Sequence, residues 1–159
     1  MNFIPVTVLE ISEEVESEIQ FLTFNNIRLI CFGYGYGLTC NDKIKKGVHC
    51  SIAISSQIFN EVCLTVNSSE KRKLSFFTSP LISSVTLNFS DEKLTESVIK
   101  VGEGFSYRVT GVFAGGVITA KGIMFDLSEY GIDGVFENMM LSCIIDRLDL
   151  EEIHLTCQP

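Results

Sequence analysis

Apolar and polar residues alternate along this chain over short stretches, and polar or glycine-containing turns separate those stretches. Val6, Val8 and Glu10 alternate with Thr7, Leu9 and Ile11. Ile19, Phe21 and Thr23 alternate with Gln20, Leu22 and Phe24. A period of two places successive side chains on opposite faces, so both stretches are expected to be half-buried strands. Ile27 to Phe32 is almost continuously apolar, as a strand covered on both faces is. Val48, Cys50, Ile52 and Ile54 share one side of a further strand, with His49, Ser51 and Ala53 on the other. Ile58–Val66, Leu74–Thr78 and Ile82–Phe89 read as strands too, and in the last of these Val85, Leu87 and Phe89 fall on one face.

The clearest hairpin joins Phe105–Ala114 to Val117–Leu127 through Gly115-Gly116, a pair suited to a two-residue turn with positive φ. Gly111 and Gly122 lie inside these two runs, where glycine marks a bulge or a barrel bend. Ser12–Glu18 is read as an acidic turn rather than a helix, because Glu10, Glu13, Glu14, Glu16 and Glu18 would repel one another on one. Met140–Leu155 fits both periods, and its isoleucines favour strand. The expected fold class is all-β, an antiparallel barrel or two-sheet sandwich with room for one short helix. With no linker, repeat or low-complexity segment, residues 1–159 are expected to form a single β-rich domain.

Composition narrows the function. At 159 residues and 46% apolar the chain can bury a core. Twelve basic against twenty acidic residues give a formal charge of −8, the wrong sign for a general nucleic-acid or anionic-membrane binder. No uncharged apolar stretch is long enough to span a membrane, and no Lys or Arg precedes Arg28, so no secretory signal is expected. The expectation is therefore a soluble, cytoplasmic protein. In that reducing setting Cys31, Cys40, Cys50, Cys63, Cys143 and Cys157 are expected as free thiols, most of them packed as small hydrophobes.

The charge is concentrated at the ends. Residues 1–27 hold five acids and no base, residues 28–125 seven acids and eleven bases, and residues 126–159 eight acids and one base. If the terminal strands pair as neighbours they form one negative face, which would speed association with a basic partner. The candidate partner-binding residues are Glu10, Glu13, Glu14, Glu16, Glu18, Asp146, Asp149, Glu151 and Glu152.

Candidate chemistry is sparse. Gly33-Tyr34-Gly35-Tyr36-Gly37 permits close backbone approach and offers Tyr34 and Tyr36 for stacking, but its spacing is not that of a dinucleotide or phosphate loop. With Lys43, Lys45 and Lys46 it forms an alternative ligand-binding set; Lys71, Arg72 and Lys73 make a second basic turn. No Cys-x-x-Cys occurs, and in a strand His49 and Cys50 point to opposite faces, so no metal is expected. His49 and His154 are the only imidazoles, and neither sits in a nucleophile signature. The carboxylate pairs are better explained as surface charge than as glycoside-cleaving machinery. The expectation is a protein that is not an enzyme and takes no cofactor.

The segments Asn26-Ile27-Arg28-Leu29-Ile30-Cys31-Phe32, Lys43-Ile44-Lys45-Lys46-Gly47-Val48 and Ile144-Ile145-Asp146-Arg147-Leu148-Asp149 resemble the strand-and-turn pattern of small bacterial β-barrel proteins of OB-like type. In kind, an acidic, motif-free domain is also similar to the immunity proteins that neutralise secreted bacterial toxins. These likenesses imply a non-catalytic binding protein, an immunity protein that covers the basic surface of a toxin domain. The alternative is an OB-like module that holds single-stranded nucleic acid or a small ligand through Gly33–Gly37 and the Lys-rich turns.

Overall fold

The computed structural model describes residues 2–12, 17–33, 44–74 and 85–155. It is mostly strand, as the alternation predicts, and its twelve described strands form two sheets in two compact units. One unit comprises residues 1–57 and 147–159, the other residues 58–146.

The first unit is a closed five-stranded barrel. Its strands are β1 (Ile4–Ser12), β2 (Ser17–Thr23), β3 (Arg28–Gly33), β4 (His49–Gln57) and β12 (Arg147–Leu155). Around the barrel they run β1-β2-β3-β12-β4, and β4 pairs with β1 to close the ring. Every pairing is antiparallel except β3 with β12, where Leu148 faces Cys31 and Asp149 faces Phe32. Closure removes the open edges that a flat five-stranded sheet would expose, and a five-stranded barrel of this kind is the OB-type architecture. Period two then sorts the side chains. Ile4, Val6, Val8, Ile19, Phe21, Leu29, Cys31, Cys50, Ile52 and Leu148 are buried, while Thr7, Gln20, Leu22, His49 and Ser51 are left wholly or partly in solvent.

The alternation reads these strands well, but the terminal strands do not pair with each other. β4 lies between them, with Ile52 facing Ile4 on one side and Ile153 on the other. Gln57 and Arg147 are partner residues on the β4·β12 ladder, and between them the chain builds the whole second unit.

That unit is a sheet of order β10-β9-β8-β11-β5-β6, with β7 (Ser97–Lys100) added against β8. The other members are β5 (Val62–Asn67), β6 (Val85–Ser90), β8 (Tyr107–Ala114), β9 (Val117–Ala120), β10 (Ile123–Asp126) and β11 (Met140–Ile145). β5 and β6 are parallel. One face carries Leu64, Tyr107, Val109, Phe113, Ile118, Phe125, Leu141 and Cys143, all essentially without solvent contact. On the opposite face Thr110 and Ser142 are also buried, and their hydroxyls lie 2.5 Å apart across the β8·β11 ladder. Each hydroxyl thereby satisfies the other away from water.

Three expectations need correction. Leu74 begins no strand: it is the buried last residue of a short helix, α1 (Lys71–Leu74), and residues 75–78 lie outside the described residues. The run Val117–Leu127 is two strands, because Lys121 (φ 53°) and Gly122 (φ 78°) make a second two-residue turn like Gly115 (φ 59°) and Gly116 (φ 80°). Met140–Leu155 is likewise two strands, parted at Asp146. β7 carries too short an alternation to stand out. The Ser12–Glu18 turn falls mostly outside the described residues, which resume with β2.

Gly111 marks no bulge on the β8·β11 ladder. Its ladder with β11 is unbroken, and a Cβ there would stand 2.0 Å from the carbonyl oxygen of Thr119 on β9. Only a residue without a side chain lets the two backbones come that close. Gly111→Ala is therefore expected to cost about 3 kcal/mol, since a backbone strand rather than a flexible side chain must move. Thermal unfolding followed by circular dichroism should show the midpoint falling by roughly 6–12 °C.

Candidate functional site

The outer surface of the barrel holds an open cleft of about 370 Å³ where β1, β2 and β4 run side by side. Its outward-facing lining comprises Pro5, Thr7, Leu22, Phe24, Asn26 and His49. The order of strands around the barrel sets this out: Thr7 pairs with Leu22 on one side and His49 on the other, and Leu22 pairs in turn with Arg28 on β3. Arg28, Leu22, Thr7 and His49 thus form one row across four strands.

The β2–β3 turn supplies the cleft's most exposed apolar group. Thr23 N–H donates to Ile27 O at 2.9 Å, Asn26 N–H donates to Thr23 O at 2.9 Å, and Asn26 takes the left-handed conformation (φ 63°) that asparagine tolerates. The buried Thr23 hydroxyl accepts the Ile27 N–H at 3.1 Å. This three-residue loop leaves Phe24 at its tip, 71% exposed. On the other side of the cleft the Thr7 hydroxyl and His49 Nδ1 are hydrogen-bonded at 2.8 Å. Just beyond, the turn Lys45–Val48 docks on β1: Gly47 (φ 89°) donates to Val8 O at 2.8 Å, and Val8 donates to Val48 O at 2.9 Å. Lys45 and Lys46 are exposed on that turn.

Of the alternative ligand set, the structure therefore places Lys45 and Lys46 beside a cleft. Tyr34, Tyr36 and Lys43 lie outside the described residues. So do Glu13, Glu14 and Glu16 of the acidic set. Phe24, Thr7, Arg28 and Asn26 were not singled out by sequence reasoning. The signal for Phe24 was present in Asn25-Asn26, a turn-forming pair that ends the strand and strands a phenylalanine at its tip.

The remaining acids are brought together only in part. Glu18 faces Phe32, and Phe32 faces Asp149, so these two carboxylate-bearing positions stand one strand apart. Asp149 is nonetheless only 6% exposed, and Arg147 grips it with two hydrogen bonds of 2.6 and 3.0 Å. The same guanidinium lies 4.3 Å over the Phe32 ring, a cation–π contact. Glu151 accepts from the Ser55 hydroxyl at 2.5 Å, and Glu152 lies 3.3 Å from His154. Asp146 belongs to the other unit, where it accepts the Phe59 N–H at 2.8 Å. Glu10 is exposed on β1.

His49 is exposed and Cys50 is buried, on opposite faces of β4 as period two requires. Among the described residues no three His, Cys, Asp or Glu side chains converge as metal ligands, and no helix is long and apolar enough to cross a membrane. Burial raises the Cys50 thiol to about 11 and the Cys143 thiol to about 12; it lifts Cys31 further, with help from nearby Asp149. A raised thiol stays protonated at neutral pH and is a poor nucleophile.

No protein-family model matches the chain, and no curated protein matches it. Among solved structures it is similar to the cytoplasmic molybdate-binding protein ModG, crystallised with molybdate bound. The two share 13% identity over 98% of this chain and 96% of that one, with a TM-score of 0.42.

Iodoacetamide at pH 8 is expected to leave Cys31, Cys50 and Cys143 unlabelled in the native protein and to label all three in denaturant, as read by peptide mass spectrometry. Labelling of Cys50 or Cys143 in the native state at a free-thiol rate would show that burial does not hold these thiols protonated.

Proposed function

We propose that this protein is a non-catalytic binding module that takes a small ligand in the outer cleft of its barrel. The observation that carries the reading is the cleft itself. At about 370 Å³ it falls in the range of small-molecule sites, and it combines an apolar wall with a few converging polar groups. Leu22, Pro5 and the exposed Phe24 supply the apolar wall. The Thr7–His49 pair and Asn26 supply directional hydrogen bonding. Catalysis has less support, because no nucleophile, base and orienting group meet among the described residues.

The geometry favours this ligand reading over a toxin-neutralising one. Covering a basic partner calls for an unbroken anionic surface. Here Asp149 is buried and neutralised by Arg147, and Asp146 is engaged by the Phe59 N–H. Glu10, Glu18, Glu151 and Glu152 remain wholly or partly in solvent on β1, β2 and β12, with Glu151 and Glu152 engaged by Ser55 and His154.

A ¹H–¹⁵N correlation spectrum of the labelled protein, titrated with a panel of small aromatic fragments, tests the reading. Shifts are expected at Thr7, Leu22, Phe24 and His49, with bound fragments recovered unchanged. Phe24→Ala should weaken binding about five- to tenfold, the loss of one aromatic contact worth roughly 1 kcal/mol, without altering the fold. Fragments that shift only residues of the second unit, or a basic protein that binds through Glu10 and Glu18 while fragments do not, would overturn it.

A further inference from the structure

The barrel unit is acidic as a whole: it holds five basic and nine acidic residues. Its bases are not scattered. Arg147 is committed to Asp149, and Lys43 lies outside the described residues. Of the other three, Arg28 stands on β3 with an interaction of its own, and Lys45 and Lys46 are exposed on the turn that docks beside the cleft. Arg28 faces Leu22 across the β2·β3 ladder. The Lys45–Val48 turn is hydrogen-bonded to Val8, the residue after Thr7, which faces His49. On this stretch of β1 one acid stands near the rim, Glu10, which pairs with Gln20 beyond an irregularity in the β1·β2 register. Glu152, on β12, is engaged with His154. Lys45 and Lys46, exposed on the turn docked next to Thr7 and His49, make that end of the cleft a basic rim, which concentrates anions locally.

The second half of the recognition is apolar. Phe24 presents its ring at the tip of a tight hairpin whose backbone is fixed by the Thr23 and Asn26 hydrogen bonds, so little backbone freedom remains to be lost on binding. Pro5, exposed two residues before Thr7 on β1, lines the same cleft. An exposed ring beside a proline favours a flat partner that can stack, and a neutral aliphatic ligand would leave the lysines without a role.

Taking the cleft as the binding site, as proposed above, we infer that its ligand is a small aromatic anion. The ring lies on Phe24, and a carboxylate or phosphate group sits on the side bounded by His49, Lys45 and Lys46. The ring gives affinity at short range. The rim gives selection by charge, and it steers the approach at low ionic strength. The same elements discriminate against the neutral analogue of the same shape, because only the anion recovers the electrostatic attraction of the rim.

The decisive pair of probes is indole-3-acetate and indole-3-acetamide, which share a ring and differ in charge, titrated into the labelled protein at low salt. The acetate is expected to bind at least tenfold more tightly than the acetamide, through shifts at Phe24, Thr7 and His49. In Lys45→Gln/Lys46→Gln, two exposed positions whose loss leaves the barrel core intact, the ratio should fall below threefold. Phe24→Ala should weaken both probes by the same factor and leave the ratio unchanged. Equal affinity for the two probes in the native protein overturns the anion inference and leaves the binding-module reading standing. No shift in the cleft from either probe overturns both. If an octathymidylate strand displaces the acetate and binds more tightly through the same residues, the occupant is a nucleic-acid strand and the inference fails.

Discussion

Closure of the barrel depends on one unusual pairing. Four of its strands can be laid down by local turns or neighbouring edges, but the ring is complete only when β12 slots between β3 and β4, parallel to one and antiparallel to the other. A parallel neighbour cannot be reached by a tight hairpin and needs a long crossover connection. Here the whole of residues 58–146 separates β4 from β12, folded as a unit with its own sheet and its own buried face. The outer cleft lies across β4, β1 and β2, whose pairing leaves β3 and β4 as the two edges that β12 joins.

Much of this was legible along the chain. The alternation at Val6–Ile11, Ile19–Phe24 and Val48–Ile54 marks strands of the barrel, and burial follows it except beside the register irregularities, where Glu10 is exposed and Ala53 rather than Ile54 is buried. Gly115-Gly116 announced its hairpin because only that turn chemistry allows two consecutive positive φ angles cheaply. Lys121-Gly122 was harder to see, since a lysine in the left-handed region is uncommon and the apolar run continues on both sides. The parallel ladders were invisible, because periodicity tells which face a residue takes and nothing about which strand lies beside it.

The site was legible in fragments. Lys45 and Lys46 were visible as a basic turn, but the opposite wall is built from Phe24 and Leu22, far away in sequence and brought near by register alone. Terminal acidity suggested a single negative flank. The fold instead spends Asp149 on an internal pair with Arg147, in which a half-buried guanidinium satisfies a nearly dry carboxylate and caps the Phe32 ring at the same time. Net charge counted along a chain does not reveal how much of it is compensated inside.

Gln57 and Arg147 sit opposite each other as rungs of one antiparallel ladder, so the points where the polypeptide departs from the barrel and comes back to it are immediate neighbours. A seam of that kind is a natural splice junction. Every barrel strand pairs only with another barrel strand, so a change of length between those two rungs leaves each barrel strand with its partners.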